Sequence, residues 1–155
     1  MYLWRDTSDE KFQPKVCWAM KRLQVSCAII EKDGLVLAAQ RSEVMSLPLK
    51  WEFPGGKLDL HENSEDCLAR EIKEELGVDI NILSSLPSSD WQYSAFAITL
   101  YPFICNLGPG KMSLAEHKAI SWVKPLDLLA LDWAEADIPV VKNYLAYLSG
   151  GVYVK

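Results

Sequence analysis

Apolar residues in this chain fall into short runs cut at intervals by glycine, proline and Asp-Gly pairs, and each run has the length of one strand or one helix. Leu23 to Ile30 and Leu35 to Ala39 are β-prone, and Lys32-Asp33-Gly34 between them carries a hairpin turn signal, so an antiparallel hairpin is expected. Residues 41–50 read as a loop interrupted by Pro48, and Trp51-Glu52-Phe53 as a short strand ended by Pro54-Gly55-Gly56. Ser64 has N-cap chemistry, Glu65 to Leu76 is a run of strong helix formers, and Gly77 is the preferred residue just past a helix end. Trp91 to Cys105 reads as one β-rich run with Pro102 at an edge or bulge, Leu107-Gly-Pro-Gly110 as a turn, and Ala119 to Val123 as another strand. Leu126 to Ala130 predicts a short helix, and Ile138 to Leu148 a terminal one with Pro139 in its first turn.

The first 19 residues fit neither hydrophobic period, and Met20-Lys21-Arg22 opens directly onto a strand. Residues 1–19 are therefore expected to be an extension, flexible or even an upstream mis-start, and residues 20–155 a single domain. Strands, a helix, more strands and a final helix imply an α/β or α+β sandwich on a mixed sheet. A length of 155 residues, 50% apolar and 24% charged, suits one core and excludes global disorder or coiled coil. No window approaches the roughly 18 consecutive apolar residues of a membrane helix, and the opening residues lack a basic stretch followed by an apolar one, so a cytoplasmic protein is expected.

Charge narrows the partners. Sixteen Lys+Arg against 21 Asp+Glu give a net charge of −5, the wrong sign for gripping polymeric nucleic acid through many phosphates. A small phosphorylated ligand fits if a divalent cation screens the repulsion. Cys17, Cys27, Cys67 and Cys105 show no paired or metal-finger spacing and read as reduced, mostly buried thiols.

On the predicted helix, Leu68, Ala69, Ile72 and Leu76 share one arc and Glu71, Glu74 and Glu75 the neighbouring one. The glutamates are like-charge neighbours, at a cost of roughly 0.2–0.5 kcal/mol per pair in an isolated helix. Arg70 relieves part of that, and Lys73 faces solvent. Oxygen-only clusters suit Mg²⁺ or Mn²⁺, which bridge proteins to phosphates, although spacing alone is equally consistent with a solvated helix face.

The whole stretch from Gly56-Lys-Leu-Asp-Leu-His-Glu62 through Arg70-Glu71-Ile72-Lys73-Glu74-Glu75-Leu76-Gly77-Val78 resembles the Nudix box, G-x5-E-x7-R-E-U-x-E-E-x-G-U with U apolar, at every defined position. Outside the box, Trp51-Glu-Phe-Pro-Gly-Gly-Lys57, Lys21-Arg-Leu-Gln-Val25 and Ala134-Glu-Ala-Asp-Ile-Pro-Val140 are similar to the MutT-like branch, which includes CTP pyrophosphohydrolases. The resemblance implies an α/β/α sandwich with a mixed β-sheet and Mg²⁺-dependent (or Mn²⁺-dependent) hydrolysis of a nucleoside diphosphate linked to another group. By position it implies that Glu71, Glu74 and Glu75 hold metal together with the Gly55 carbonyl, that Arg70 orients the glutamates, and that Glu62 is a supporting carboxylate. A further metal or catalytic acid is expected in the loop before the late strand, where Glu116 stands; it also fits an ordinary loop residue. His117 beside it fits a base or phosphate contact but is expected first as a surface histidine, and His61 has no assigned role.

The reaction implied is attack of water on an internal phosphorus of a nucleoside triphosphate, with one of Glu74, Glu75 or Glu116 taking the proton. Arg41, Phe53, Lys57, Asp137 and Trp133 are the substrate-binding candidates. Phe53 and Trp133 fit core packing equally well, Arg41 a phosphate contact or a strand cap, and Asp137 a base contact or the N-cap of the last helix. An oxidised guanine nucleotide such as 8-oxo-dGTP, or a cytidine nucleotide, is the expected substrate class. Alternatives are a nucleotide-sugar, dinucleoside-polyphosphate or ADP-ribose pyrophosphatase, and a catalytically silent nucleotide-binding module. Monomer and homodimer are both compatible with the sequence.

Overall fold

The computed structural model describes residues 20–151, so the expectations for residues 1–19 and for Cys17 lie outside the described residues. Strand β1 (Arg22–Lys32) and β2 (Leu35–Gln40) form the expected antiparallel hairpin, turning at Asp33 and Gly34 with φ of 51° and 77°. Both angles are positive, as the tight turn matching strand twist requires. The short β3 (Trp51–Glu52) pairs with β2, whereas β4 (Gly55–Lys57) pairs with β1 at Val25 to Cys27. Pro54-Gly55-Gly56 is thus more than a stop signal, because its glycines continue as a strand.

The expected run from Trp91 to Cys105 is two strands, not one. β6 (Ser89–Gln92) folds back antiparallel on β7 (Ala97–Leu107), and Tyr93 N–H donates to the Phe96 carbonyl across the tip at 2.8 Å. β5 (Ile80–Ser85), which sequence reading left unassigned, pairs with the other half of β7 through an irregularity between Ile82 and Ser84. Its residues alternate between half-buried and exposed, with none fully buried and Leu83 on the exposed side, a weak hydrophobic signal. Pro102 lies inside β7, not at a sheet edge. Its carbonyl accepts from Leu86 N–H on the side where β6 gives way to β5, so its missing N–H falls at the handover and leaves the parallel β1–β7 ladder intact. β8 (Ala119–Val123) completes the mixed sheet against β2.

Side chains of β1 alternate between two cores. Cys27 and Ile29 point to one that contains Val140, Val141 and Tyr144 of helix α2 (Ile138–Leu148), while Ala28 and Ile30 point to one that contains Leu68, Ile72 and Leu76 of helix α1 (Ser64–Leu76). The sheet is therefore sandwiched between the helices, an α/β/α arrangement. Strands covered on both faces become nearly continuous apolar runs, which explains why β1 and β2 were easy to find. The short helix expected over Leu126 to Ala130 is present as a 3₁₀ helix, Pro125–Ala130. Among the described residues no helix is long and apolar enough to cross a membrane.

Candidate active site

Helix α1 begins one residue earlier than expected. Asn63 is the N-cap and its side chain accepts from Asp66 N–H at 2.8 Å, with Ser64 as the first helical residue; Gly77 closes the helix in the left-handed region with φ 73°. Cys67 joins Leu68, Ile72 and Leu76 on the buried stripe, whereas Ala69 is exposed. Burying Ile72 fully contributes about 1.5–3 kcal/mol by area alone. That packing fixes the rotation of α1 and therefore where Glu71, Glu74 and Glu75 point.

β4 lies against this helix without a side chain in the way. A Cβ on Gly56 would overlap the Glu71 carboxylate, and one on Gly55 would overlap the backbone carbonyl of Ser26. Close approach, not an unusual φ, is what requires glycine at both positions. The result is that Glu71 lies directly over Gly56, while Gly55 lies against β1.

Arg70 ties the acids together. Its guanidinium donates to Glu62 at 2.8 and 2.9 Å, to Glu71 at 2.9 Å and to Glu74 at 3.4 Å. The Arg70 hydrogen bonds hold the Glu62 carboxyl down at about 2, while burial raises Glu71 above its ordinary range. Glu75 is more extreme: burial, then the neighbouring carboxylates Glu52, Glu71 and Glu116, outweigh His117 and push it up to about 8. Lys73 faces solvent, 3.4 Å from Asp79.

His117 is not at the surface. Its side chain is 1% exposed, and Nε2 lies 2.8 Å from Glu52 Oε1. The other Glu52 oxygen accepts from Arg41 at 2.6 Å. Burial opposes charge on His117, yet the Glu52 hydrogen bond prevails and its pKa is raised. Arg41 also donates from Nε to the Ser46 carbonyl at 2.6 Å and from Nη2 to Ser46 Oγ at 3.0 Å, so it clamps the 42–49 loop instead of capping a strand. That loop holds Leu47 and Leu49 at φ 51° and 66°, a strain that needs such a clamp.

A cleft of about 400 Å³ opens beside these residues. Arg41, Glu52, Phe53, Gly55, Gly56, Lys57, Glu75 and Asp137 line it, and its apolar wall comes from β1, the 42–49 loop and the β6–β7 hairpin. Of the three α1 glutamates only Glu75 lines it; Glu71 lies behind Gly56, Glu74 is exposed on the helix, and Glu116 is an exposed loop residue near enough to act on Glu75. Trp133 does not line the cleft: it backs Phe53, ring centroids 4.8 Å apart, and donates to the Leu128 carbonyl at 2.6 Å. It is a core residue.

Asp137 does not cap α2 with its side chain. It stands at the N-cap position in a helical conformation, makes no capping hydrogen bond, and instead accepts from Phe53 N–H at 2.9 Å while 6% exposed. Burial, then the charge of Glu52, raises its pKa well above the usual carboxylate value. Sequence reading also missed Glu52, although an acid inside an apolar Trp-Glu-Phe strand was a signal, and missed Tyr93 and Phe96, which sit at a hairpin tip hidden within a run taken as one strand.

Among the described residues no three carboxylate, imidazole or thiol groups converge on one point to hold an ion. Arg70 occupies Glu71 and Glu74 instead. The donor chemistry nevertheless fits a hard cation, since the set is all oxygen and Glu75 Oε2 is buried with no hydrogen-bond partner. Such an oxygen calls for a positive partner.

Comparison with known proteins agrees with this geometry. A NUDIX domain family model matches residues 20–144. The chain is 35% identical over 127 residues to a CTP pyrophosphohydrolase of Escherichia coli, covering 82% of this chain and 94% of that protein. It is 28% identical over 123 residues to an 8-oxo-dGTP diphosphatase of the same organism, covering 79% and 95%. The solution structure of the Escherichia coli ORF135 protein superposes with a TM-score of 0.73 at 33% identity, covering 84% of this chain and 94% of that one.

Proposed function

The chain belongs to the NUDIX family and is a hydrolase of nucleotide phosphoanhydride bonds, and from that premise we propose that it is a pyrophosphohydrolase that converts nucleoside triphosphates to monophosphate and pyrophosphate. The reading rests most on one observation: the complete Arg70, Glu71, Glu74, Glu75 set on a helix face packed against the Gly55-Gly56 strand at the wall of a nucleotide-sized cleft. A silent binding module would not need every acid.

In this reading a divalent cation, Mg²⁺ or Mn²⁺, is held by Glu71, Glu74, Glu75 and the Gly55 carbonyl, with Glu116 completing the set from the loop. When bound it neutralises phosphate charge and makes water a better nucleophile. Arg70 aims Glu71 and Glu74 through its hydrogen bonds, and Glu62 anchors Arg70 in turn. The proton of the attacking water goes to Glu74, Glu75 or Glu116. Lys57, exposed at the cleft mouth, meets the outer phosphates. Arg41 acts through the loop it clamps.

Phe53 forms the floor of the base site, and Asp137 reads the base edge from beside it. An ionised Asp137 accepts from an amino or ring N–H; the protonated form favoured by its burial donates to a carbonyl as well. Both forms suit cytidine and oxidised guanine nucleotides, the chemistries named for the relatives above. Product chromatography on a panel of normal, oxidised and methylated triphosphates with Mg²⁺ tests the reading. Monophosphate and pyrophosphate are expected; diphosphate and orthophosphate as primary products would refute the attack position.

A further inference from the structure

Asp137 is carried on a single 3₁₀ turn, Glu135–Asp137, and its carboxylate is already spoken for by Phe53 N–H. A residue from a distant segment adds a further tie to that turn. The Tyr93 hydroxyl, at the tip of the β6–β7 hairpin, accepts from Ala136 N–H at 3.0 Å, one residue before Asp137. The same residue closes the hairpin through its N–H to the Phe96 carbonyl and packs its ring on Phe96, centroids 5.0 Å apart. Both rings line the cleft. Trp91 meets the Tyr93 ring edge-on at 6.5 Å from the other side.

One side chain therefore joins two parts of the base end, the aromatic hairpin tip and the turn bearing Asp137. The hairpin strand β6 is four residues long, mostly exposed and paired to β7 alone, and the 3₁₀ turn is three residues with no side-chain cap, tied otherwise by Asp137 to Phe53 N–H and by Ala134 N–H to the Trp51 carbonyl. We propose that Tyr93 is a specificity-determining positioning residue, a latch whose hydroxyl fixes the spacing between the Phe96 wall and the Asp137 carboxylate and so sets which base fits between them. The proposal rests on the base-reading role given to Asp137. It predicts that the latch acts on base discrimination and leaves the phosphate chemistry of α1 alone.

Tyr93→Phe keeps the ring and removes only the accepting oxygen, leaving Ala136 N–H without its partner. With the full chain and Mg²⁺, kcat and KM are measured for CTP, dCTP, GTP, dGTP and 8-oxo-dGTP. For the preferred nucleotide, KM should rise roughly 5- to 50-fold, the range expected when a buried donor loses its partner, while kcat stays within about twofold. The ranking of bases should flatten. Asp137→Ala and the double variant are measured in parallel, and the double variant should be no worse than the more impaired single one, because both changes disable one device.

A lowered melting temperature with an unchanged base ranking and KM in Tyr93→Phe would make the tyrosine a structural residue and overturn the latch. If Asp137→Ala alters the ranking and Tyr93→Phe does not, the latch alone fails. If Asp137→Ala leaves the ranking intact, the base-reading role fails; a ranking changed by Tyr93→Phe would then still assign discrimination to the hairpin wall, and an unchanged one would end both. Full additivity of the two substitutions would also overturn the latch, since it would show that Tyr93 acts without Asp137.

Discussion

The glutamate face of α1 and the Phe53–Asp137 end of the cleft are neighbours, with Glu52 acting electrostatically on both, yet they are assembled in opposite ways. The helix face comes from one continuous segment, Gly55 to Glu75, and its geometry follows from helical spacing, two glycines and one arginine. The base end is collected from Arg41, Phe53, Tyr93 and Asp137, which meet only through the tertiary fold and through single hydrogen bonds such as Asp137 to Phe53 and Tyr93 to Ala136. A reaction centre shared by many substrates profits from being locally encoded. A selectivity site profits from parts that vary separately.

The comparison breaks most sharply in the acids. Glu74→Gln and Glu75→Gln should each lower kcat by on the order of 10²–10⁴ while circular dichroism and melting temperature stay close to those of the parent. Excess EDTA should abolish turnover, and added Mg²⁺ should restore it. Turnover that survives both substitutions, or survives EDTA, would show that the helix face is not the reaction centre.

The two glycines separate geometry from stability within that face. A methyl at Gly55 meets backbone of β1, which cannot move aside, so Gly55→Ala should destabilise the fold by about 1–3 kcal/mol. A methyl at Gly56 meets the end of the Glu71 side chain, which can swing away. Gly56→Ala should therefore retain most of the stability and lose activity by displacing Glu71. Equal unfolding losses in thermal melts of the two variants would show that β4 is held against α1 less closely than the overlap implies.

This asymmetry also explains what could be read from the sequence. The hairpin β1–β2, helix α1 and the glutamate set were legible because each is set by neighbours in sequence, through the Asp-Gly turn, helical periodicity and the Nudix spacing. The division of residues 91–105 into β6 and β7 was not, because an apolar hairpin tip such as Tyr93 to Phe96 carries no turn residue beyond Ser94. Asp137 was ambiguous for the same reason: capping is a local rule, and the contact with Phe53 that overrides it spans 84 residues. His117 looked like a surface residue because its partner Glu52 is 65 residues away.

Arg41→Lys tests whether the base end depends on the loop clamp. Lysine keeps the charge but cannot satisfy Glu52, the Ser46 carbonyl and Ser46 Oγ together, so the strained 42–49 loop should relax. KM should rise roughly tenfold with kcat nearly unchanged, an effect of about 1.4 kcal/mol. A drop in kcat with an unaltered KM would place Arg41 in the chemistry instead of the loop.

The smallest effect is expected in the pH dependence of stability, where Glu62 beside the helix face and Asp137 at the base end should contribute opposite slopes. Glu62 is held near 2 by Arg70, below its ordinary 4.5, so the unfolded chain binds a proton more readily than the folded one as pH falls. Its contribution is complete above about pH 5 and is lost toward pH 2. Asp137 has the reverse sign. Burial raises its folded pKa well above 3.8, so the folded state holds a proton that the unfolded chain releases, and stability falls as pH rises from 3.8 toward the folded value. Melting curves between pH 3 and 9 should then show a shallower acid limb in Glu62→Gln and a shallower decline on the rising-pH side in Asp137→Asn, where the amide oxygen still accepts from Phe53. At this chain length each kcal/mol moves the midpoint by about 2–4 °C, so the shifts are small but readable. If Asp137→Asn reproduces the parent curve over the whole range, the Asp137 carboxyl ionises as freely in the cleft as in the unfolded chain, and the contrast between the Arg70-anchored Glu62 and a proton-holding Asp137 is lost.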